Sequence, residues 1–405
     1  MDRRRFLQGL TVAGCSAAAH PLLSTVTMAQ GAGLGENRLI VVILRGGMDG
    51  LDVVQPVGDP DFVALRPDLA HSTFSLENRF ALHPALGGLQ GLWTAGQLGF
   101  VHATSTPYRD KRSHFDGQSL LEAGTGMDVA IGSQRDGWLN RMLQAVPGLS
   151  AETAYAVGRE ALPLLEGQGP ARNWTPEVNL VLSAQSHLLL DHIYHDDALF
   201  REAGEEAMTL SAELSGQPRR DTVQAAPEKG PFNPGENRPW KDIDTLVDFA
   251  AGRLAGATRI AAFSLSGWDT HRGQEGAIKT PLSRLQRIIL RLQAQVGAQV
   301  WGRTTLVAMT EFGRTARQNG SSGTDHGTGG VMVLAGGALR GGKVYGQWPG
   351  LSEAALYDRR DLMPTSDVRA WAAWAMRGLY GLDRQVLETA VFPGLDMGDD
   401  PALIL

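Results

Sequence analysis

Cysteine is almost absent from the chain, because Cys15 is the only one among 405 residues. A single thiol excludes an internal disulfide and any cluster of thiolate metal ligands. A metal ion, if one binds, must therefore be held by oxygen atoms and imidazole nitrogens.

Long apolar runs and basic surfaces are lacking as well. Beyond the N-terminal region, no apolar segment approaches the ~20 residues needed to span a bilayer. The net charge is −6, and the Lys and Arg residues form no patch, which argues against nucleic acid as the main partner. Glycine-rich stretches such as "LRGGMDG" lack the spacing of phosphate-binding or dinucleotide-binding loops.

Glycine, in contrast, is abundant, with 50 residues in 405. The usual share is roughly 7%, so the excess predicts many tight turns and places where the backbone comes close to another group. Apolar residues make up 43% and charged residues 20%, which is the balance of a globular protein with a sizeable core.

The first 29 residues predict an export signal. "MDRRRFL" resembles the start of a twin-arginine (Tat) signal, and Ala29 closes a stretch of small residues that suits cleavage. The resemblance implies the Tat export machinery as a partner and a periplasmic or secreted location. Two alternatives stay open: an amphipathic first helix of the fold, and a lipoprotein anchored through Cys15, which ends the sequence "VAGC".

The rest of the chain predicts an α/β fold. Apolar runs with strand character lie within 37–52, 96–104, 258–267, 304–313 and 329–337, and segments with helical spacing lie between them. Such alternation predicts a mostly parallel central sheet flanked by helices, in one domain over residues 30–405. The polar, Pro- and Gly-rich segment 213–243 is expected to be a surface insertion.

Polar residues follow several of these strands. Ligands of open α/β sheets bind at the carboxyl ends of strands, so the clusters are expected to converge there. Taken singly, each has another interpretation: Asp49 as a turn residue, Asp269 as a helix cap, His271 and His326 as loop histidines. Glu311, at the end of an apolar strand, needs a cation or strong donors if it is buried. Together these carboxylates and imidazoles are ligands of the kind that Zn²⁺, Mn²⁺ or Fe accept in hydrolytic sites.

The motifs also resemble a known family. Their order resembles that of the alkaline phosphatase/sulfatase-like superfamily. The Tat signal together with "LRGGMDGLD", "RSHFDGQ", "GWDTH", "TEFGRT" and "DHGTGG" is more closely similar to an exported bacterial family, domain of unknown function 1501, placed in that superfamily. The resemblance implies an alkaline phosphatase-like fold and one or two divalent ions such as Zn or Mn. It also implies hydrolysis of phosphate or sulfate esters of a small molecule or polymer.

The resemblance further implies roles for individual residues. Asp269, His271 and His326 would bind one ion, and Asp49 with Glu311 would bind the second. Ser113, at the start of a helix, would be the nucleophile. The candidate clamps for the substrate anion are Arg109, Arg112 and Arg45.

The sequence also departs from the superfamily pattern. Phe312 stands where the superfamily has a histidine ligand, and His114 is a candidate to replace that imidazole. Ser113 lacks the signature of sulfatases and could be a plain helix cap, which leaves Ser105 and Thr106 as alternative nucleophiles. The second functional hypothesis is therefore a non-catalytic, possibly metal-binding, exported binding or assembly protein with the same fold.

Overall fold

The computed structural model describes residues 33–70, 74–77, 79–130, 132, 134, 136–175 and 240–405. The predicted signal over residues 1–29, with Cys15, lies outside the described residues, as does the insertion predicted at 213–243 except for its last four residues. Nearly all described residues belong to one compact unit, Met1–Trp174 with Ile243–Leu405, and a second unit comprises Thr175–Asp242. The single domain over 30–405 stays a prediction.

Twelve strands lie in the described residues. In chain order they are β1 (Arg38–Arg45), β2 (Val54–Gln55), β3 (Phe74–Ser75), β4 (Ala81–Leu82), β5 (Leu98–Ser105), β6 (Ala154–Val157), β7 (Arg172–Trp174), β8 (Ile260–Ser266), β9 (Thr304–Thr310), β10 (Gly330–Ala335), β11 (Lys343–Tyr345) and β12 (Ser366–Asp367).

The main sheet has the order β11-β5-β10-β9-β1-β8-β6-β7, with β12 also paired to β5. Its neighbours pair in parallel, except that β10 runs antiparallel to both β5 and β9. Strands β2, β4 and β3 form a separate small antiparallel sheet. The predicted mostly parallel central sheet is therefore confirmed.

The α-helices of the described residues are α1 (Gly50–Val53), α2 (Phe62–Leu65), α3 (Gln90–Thr94), α4 (His114–Ala123), α5 (Trp138–Ala145), α6 (Lys241–Ala255), α7 (Gln274–Ala277), α8 (Lys279–Trp301), α9 (Val368–Tyr380) and α10 (Arg384–Val386). Short 3₁₀ turns cover Pro84–Leu89, Ala151–Thr153, Pro163–Leu165 and Glu353–Ala355, and a π turn covers Leu387–Val391. None of these helices combines the length and apolarity that crossing a bilayer requires.

Strand β1 shows why the central strands are continuous apolar runs. Val41 and Ile43 pack into the hydrophobic core on one face of the sheet, and Val42 and Leu44 pack into the core on the other face. Helices α5 and α9 contribute to the first core, whereas α6 and α8 contribute to the second. A strand covered by helices on both faces needs apolar side chains at every position rather than at alternate ones.

The reversed strand β10 explains how the polar clusters meet. Because β10 runs antiparallel to β9, the loop that precedes β10 lies at the edge where β9 ends. The parallel neighbours β1 and β8 end at that same edge. The loops after β8 and β9 and the loop before β10 are therefore brought together, as the sequence predicted for the carboxyl ends of the strands.

Candidate metal centre

Asp269, in the loop after β8, forms an ion pair with a buried arginine, Arg314. Arg314 Nη2 lies 2.6 Å from Asp269 Oδ1, and the Arg314 side chain is 0% exposed whereas that of Asp269 is 46% exposed. The same guanidinium donates to the backbone carbonyls of Gly47 and Thr324. Burial alone would raise the pKa of Asp269, but the hydrogen bond and charge of Arg314 outweigh it and lower the pKa to about 2. Asp269 is therefore an ionised, anchored and accessible carboxylate.

Three imidazole rings meet this carboxylate oxygen. The Nε2 atoms of His271, His114 and His326 lie 3.0, 3.3 and 3.3 Å from Asp269 Oδ1. His271 Nε2 is also 2.9 Å from His326 Nε2. The ligand atoms offered by His114, Asp269 and His326 all lie within 4.8 Å of one another. The structure thus brings three of the predicted site residues, His114, Asp269 and His326, into one group, and His271 contacts two of them, Asp269 and His326.

Each ring is oriented through its other nitrogen. Nδ1 of His326 lies 2.9 Å from the Arg112 carbonyl oxygen, and that oxygen can only accept, so this Nδ1 carries the proton. Nδ1 of His114 is 2.8 Å from Glu311 Oε1, and Nδ1 of His271 is 3.1 Å from Asp325 Oδ1. Protonation at Nδ1 leaves the lone pair of every neutral ring on Nε2, directed at the others.

When the three rings are neutral, their Nε2 atoms and Asp269 Oδ1 all offer lone pairs to the same small space, and no proton lies between them. His114 Nε2 is buried and has no hydrogen-bond partner. The hydrogen bond with Glu311 raises the pKa of His114, so a proton on this ring is one way to relieve the repulsion. A divalent cation is the other way, since tetrahedral bonds of about 2.0–2.1 Å place ligand atoms about 3.3 Å apart. The residues present fit one such ion.

Glu311 is fully buried behind His114 and does not face the other ligand atoms. Its Oε1 accepts from Gly46 N at 2.9 Å, His114 Nδ1 at 2.8 Å and Gln118 Nε2 at 3.0 Å. Its Oε2 accepts from Thr310 Oγ1 at 2.8 Å. Burial tends to raise the pKa of Glu311, but the hydrogen bonds, led by that from His114, lower it. Glu311 is thus placed to orient His114, and the second ion that the resemblance implied for Glu311 and Asp49 stays a prediction.

Asp49 is likewise not brought to the cluster. It is 1% exposed, and its Oδ2 accepts from Arg66 Nη1 at 2.7 Å, Gln274 Nε2 at 2.6 Å and Thr324 Oγ1 at 3.2 Å. Its Oδ1 accepts from Leu51 N at 3.1 Å, as an N-cap does. These donors occupy the carboxylate, and Asp49 is the N-cap of α1; its predicted role as a metal ligand stays a prediction.

Phe312 forms an apolar wall beside the histidines. Its ring stacks on that of His114 with centroids 5.0 Å apart, and its centroid is also 5.0 Å from that of His326. Tyr108 stacks on Phe312 at 6.1 Å, and both aromatic side chains are buried. A phenyl ring offers no ligand atom, and within the described residues a single group of possible ligands is found.

The predicted nucleophiles differ in accessibility. Ser113 is half-buried and is the N-cap of α4, where its Oγ accepts from Asp116 N at 3.3 Å, directly before His114. Ser105 and Thr106 are buried, and their hydroxyls donate to the backbone carbonyls of Thr106 and Glu311 respectively. Ser113 is therefore the most accessible of the three hydroxyls.

The predicted anion clamps also differ. Arg109 Nη1 donates to the carbonyls of Thr106 and Tyr108 and to Ser105 Oγ. Arg45 pairs with the buried Glu122 at 2.7 Å and donates to Gln118 and Ser264. The side chain of Arg112 is exposed while its carbonyl orients His326. Of the three, Arg112 is the one whose guanidinium faces solvent beside the cluster.

Three residues that matter to the site received no role from the sequence. Arg314 anchors Asp269, Asp325 orients His271, and Gln118 supports Glu311. Arg314 and Asp325 do lie in motifs that carry the family resemblance, "TEFGRT" and "DHGTGG". A cation three residues after Glu311, the acid that ends an apolar strand, is the signal that could have pointed to Arg314. Gln118 is the last residue of a third such motif, "RSHFDGQ".

Several solved structures are similar to this chain. The alkaline phosphatase from the Antarctic bacterium TAB5 is 10% identical, with 76% of this chain and 94% of that chain covered and a TM-score of 0.34. The C-terminal periplasmic domain of EcEptC from Escherichia coli, in complex with Zn, is 10% identical, with 92% and 93% covered and a TM-score of 0.38. The PsFucS1 sulfatase from Pseudoalteromonas sp. is 12% identical, with 92% and 73% covered and a TM-score of 0.40.

No curated protein matches the sequence. A family model does match: DUF1501, described as a protein of unknown function, covers residues 91–370. That range includes His114, Asp269, His271 and His326 and well over half of the chain. The resemblance seen in the motifs is thereby confirmed, and the chain belongs to the DUF1501 family.

Proposed function

We propose that this protein is an exported, metal-dependent hydrolase of phosphate or sulfate esters, with one divalent ion such as Zn or Mn held by His114, Asp269, His271 and His326. The observation that carries the proposal is the convergence of three Nε2 atoms on Asp269 Oδ1, each ring being fixed by a hydrogen bond at Nδ1. Bound there, the ion would act as a Lewis acid on an ester oxygen.

The surroundings of the cluster suit an anionic substrate. Arg314 balances the charge of Asp269, and a divalent ion would balance the charges of Glu311 and Asp325, which hydrogen-bond His114 and His271. Arg112 presents an exposed guanidinium from the same segment that orients His326. Guanidinium groups match the oxygen geometry of phosphate and sulfate esters. Phe312 and Tyr108 exclude water from one side of the histidines.

Ser113 is the proposed nucleophile. Its Oγ would bond to the phosphorus or sulfur atom while the bond to the ester oxygen breaks, and the hydroxyl proton would pass to the departing alcohol. Water would then hydrolyse the serine ester and restore the hydroxyl. The position favours this role, because the positive end of the α4 dipole at its N-terminus attracts negative charge.

Export by the Tat route forms part of this proposal and rests on the sequence of residues 1–29 alone. A periplasmic or secreted location follows from it, with lipid attachment at Cys15 as the alternative. Fractionation of cells that express the full chain, compared with a variant in which Arg3 and Arg4 are both Lys, tests this part. The chain should leave the cytoplasm only when the arginines are present.

A second function is favoured by a specific observation. Four protein ligands can complete a tetrahedral shell, and structural zinc sites are closed in this way, whereas catalytic sites keep an open position. Arg109 and Arg45, two of the three predicted clamps, are engaged within the protein. A non-catalytic, metal-binding assembly or binding protein is the function that these contacts support.

Turnover of an aryl phosphate and an aryl sulfate by the metal-loaded protein separates the two functions. The hydrolase proposal expects turnover that is lost on metal removal and in Ser113→Ala, with Arg272→Ala, an exposed neighbour of His271, as the matched control. A protein that binds the ion and is stabilised by it but cleaves neither ester would support the binding function instead.

A further inference from the structure

Asp49 is a buried carboxylate to which the proposed chemistry gives no role. Its oxygen Oδ2 forms a buried ion pair with Arg66, whose side chain is 0% exposed, at 2.7 Å. A buried ion pair is costly to desolvate and is often no more stabilising than apolar residues of the same size. A gain in stability is therefore not enough to explain the buried Asp49–Arg66 ion pair, and another role has to be considered.

The ion pair connects the two loops that carry metal ligands. Gln274, three residues after His271, donates to Asp49 Oδ2 at 2.6 Å, and Thr324, two residues before His326, donates to the same atom at 3.2 Å. Thr324 Oγ1 also lies 2.6 Å from Gln274 Oε1. One oxygen atom of Asp49 thus holds both loops at a fixed separation.

Arg66 extends the connection to the segment after β9. Its Nε donates to the Ala316 carbonyl at 2.9 Å and its Nη2 to the Thr315 carbonyl at 2.6 Å. Thr315 N in turn donates to the carbonyl of Asp325, the residue that orients His271. The buried pair is therefore connected to Asp325, which orients His271, as well as to the loops that carry His271 and His326.

We propose that Asp49 is a positioning residue that sets the separation of His271 and His326 and so determines metal affinity without binding the ion. The inference rests on the proposed metal site but not on the proposed ester hydrolysis. Its physical basis is that partners outside the ligand shell, by fixing ligand orientation, typically change metal affinity by about 10–100-fold when removed.

Asp52 provides a matched control three residues away. It is fully buried, and it too accepts from Gln274 Nε2, at 2.8 Å, but no arginine hydrogen bond reaches its carboxylate in the described residues. Burial, then the charge of Asp49, raises the pKa of Asp52 to about 7, so below that pH an amide imitates its protonated state. Asp52→Asn therefore keeps an oxygen that can accept from Gln274 Nε2, whereas Asp49→Asn removes the charge that pairs with Arg66.

The experiment is a Co²⁺ titration of the full chain, Asp49→Asn and Asp52→Asn at pH 6.5, followed by the visible absorption of the bound ion. We expect Asp49→Asn to raise the Kd for Co²⁺ about 10–100-fold. At saturation its spectrum should be that of the wild type, because the ligands are unchanged. Asp52→Asn should stay within about threefold of the wild-type Kd. An altered saturated spectrum in Asp49→Asn would identify Asp49 as a ligand and overturn the proposal, as would an unchanged Kd.

A second variant keeps the test decisive if Asp49→Asn does not fold. Thr324→Val removes the hydroxyl that contacts Asp49 Oδ2 and Gln274 Oε1, keeps the side-chain shape and leaves the Asp49 carboxylate in place. A weaker Kd with an unchanged spectrum supports the positioning role, and an unchanged Kd contradicts it. If the wild type binds Co²⁺ yet cleaves no ester, the hydrolase proposal fails and this inference stands. If the wild type binds no Co²⁺, both fail.

Discussion

Two polar clusters lie near the same edge of the sheet and differ in how their hydrogen bonds balance. In the buried cluster, Asp49 accepts hydrogen bonds from Arg66, Gln274 and Thr324, so its carboxylate is satisfied by donors within the protein. In the accessible cluster, three Nε2 atoms and Asp269 Oδ1 face one another as acceptors. A satisfied buried network is what a structural role needs. A partly exposed set of acceptors, in which Arg314 donates to Asp269 Oδ1 but the neutral Nε2 atoms face one another, is what a cation needs.

The comparison explains why residue type alone does not distinguish these carboxylates. Asp49, Glu311 and Asp269 are all acids that follow strands of the sheet. Only Asp269 combines an accessible oxygen with converging imidazoles, whereas Glu311 is buried among four donors. A carboxylate is a candidate metal ligand when one of its oxygens stays accessible after the hydrogen bonds from the protein have been counted.

The largest expected effect is the loss of the ion from the accessible cluster. His271→Ala removes one of the four donors and should weaken Zn²⁺ binding by more than about 100-fold, beyond the loss caused by changes outside the ligand shell. Metal content after dialysis, measured by mass spectrometry, checks this. Arg272→Ala, on the adjacent exposed residue, should retain the ion, and equal loss in both variants would show that the loop rather than the imidazole matters.

In the buried cluster the largest effect should fall on folding. Arg66→Met leaves the Asp49 carboxylate buried without its cation and should lower the free energy of unfolding by about 3–5 kcal/mol. Urea unfolding of the metal-free protein measures it. Arg359→Met, which breaks a pair 3.5 Å long with side chains 80% and 74% exposed, should cause no measurable change. Similar losses in the two variants would contradict the distinction between the clusters.

A smaller effect is expected from Glu311→Gln. Glu311 shares a property with each cluster, because it is buried like Asp49 and contacts a ligand of the accessible cluster, His114. The amide can still accept from His114 through its oxygen but loses the charge, so Zn²⁺ affinity should fall about 10–100-fold. Competition with a chromophoric chelator measures the affinity. A complete loss equal to that of His271→Ala would indicate that Glu311 is itself a ligand.

The smallest expected effect is a pH dependence in the buried cluster. The pKa of Asp52 is raised from 3.8 to about 7, so between these values the folded state holds a proton that the unfolded chain releases. The contribution of Asp52 to stability therefore falls as pH rises through this window. Asp52→Asn lacks this loss, and its stability relative to wild type should increase from pH 4 to pH 7 in urea unfolding. Parallel curves would contradict the assignment.

The fold was predictable to a large extent because burial on both faces leaves a strong signal. The apolar runs at 37–52, 258–267 and 304–313 contain β1, β8 and β9, and a helix does begin after Ser113. The reversed direction of β10 was not predictable, since a buried strand has the same composition in either direction.

The approach of the candidate ligands to one another was predictable from the sequence, but their supporting contacts were not. "GWDTH" and "DHGTGG" follow or precede strands at one edge, and strand topology makes them meet. The partners of Asp49 are 17 and 225 residues away in the sequence, and one ring is oriented by the carbonyl of Arg112. Backbone acceptors and long-range pairings have no residue pattern that a single sequence could reveal.

The most direct test of the central claim is X-ray absorption at the zinc edge on the full chain loaded with Zn²⁺, together with the metal content of the same sample. The account predicts one ion per chain, with about three imidazole nitrogens and one carboxylate oxygen at about 2.0–2.2 Å. Two ions per chain, or a shell that contains fewer than two imidazoles, would contradict it.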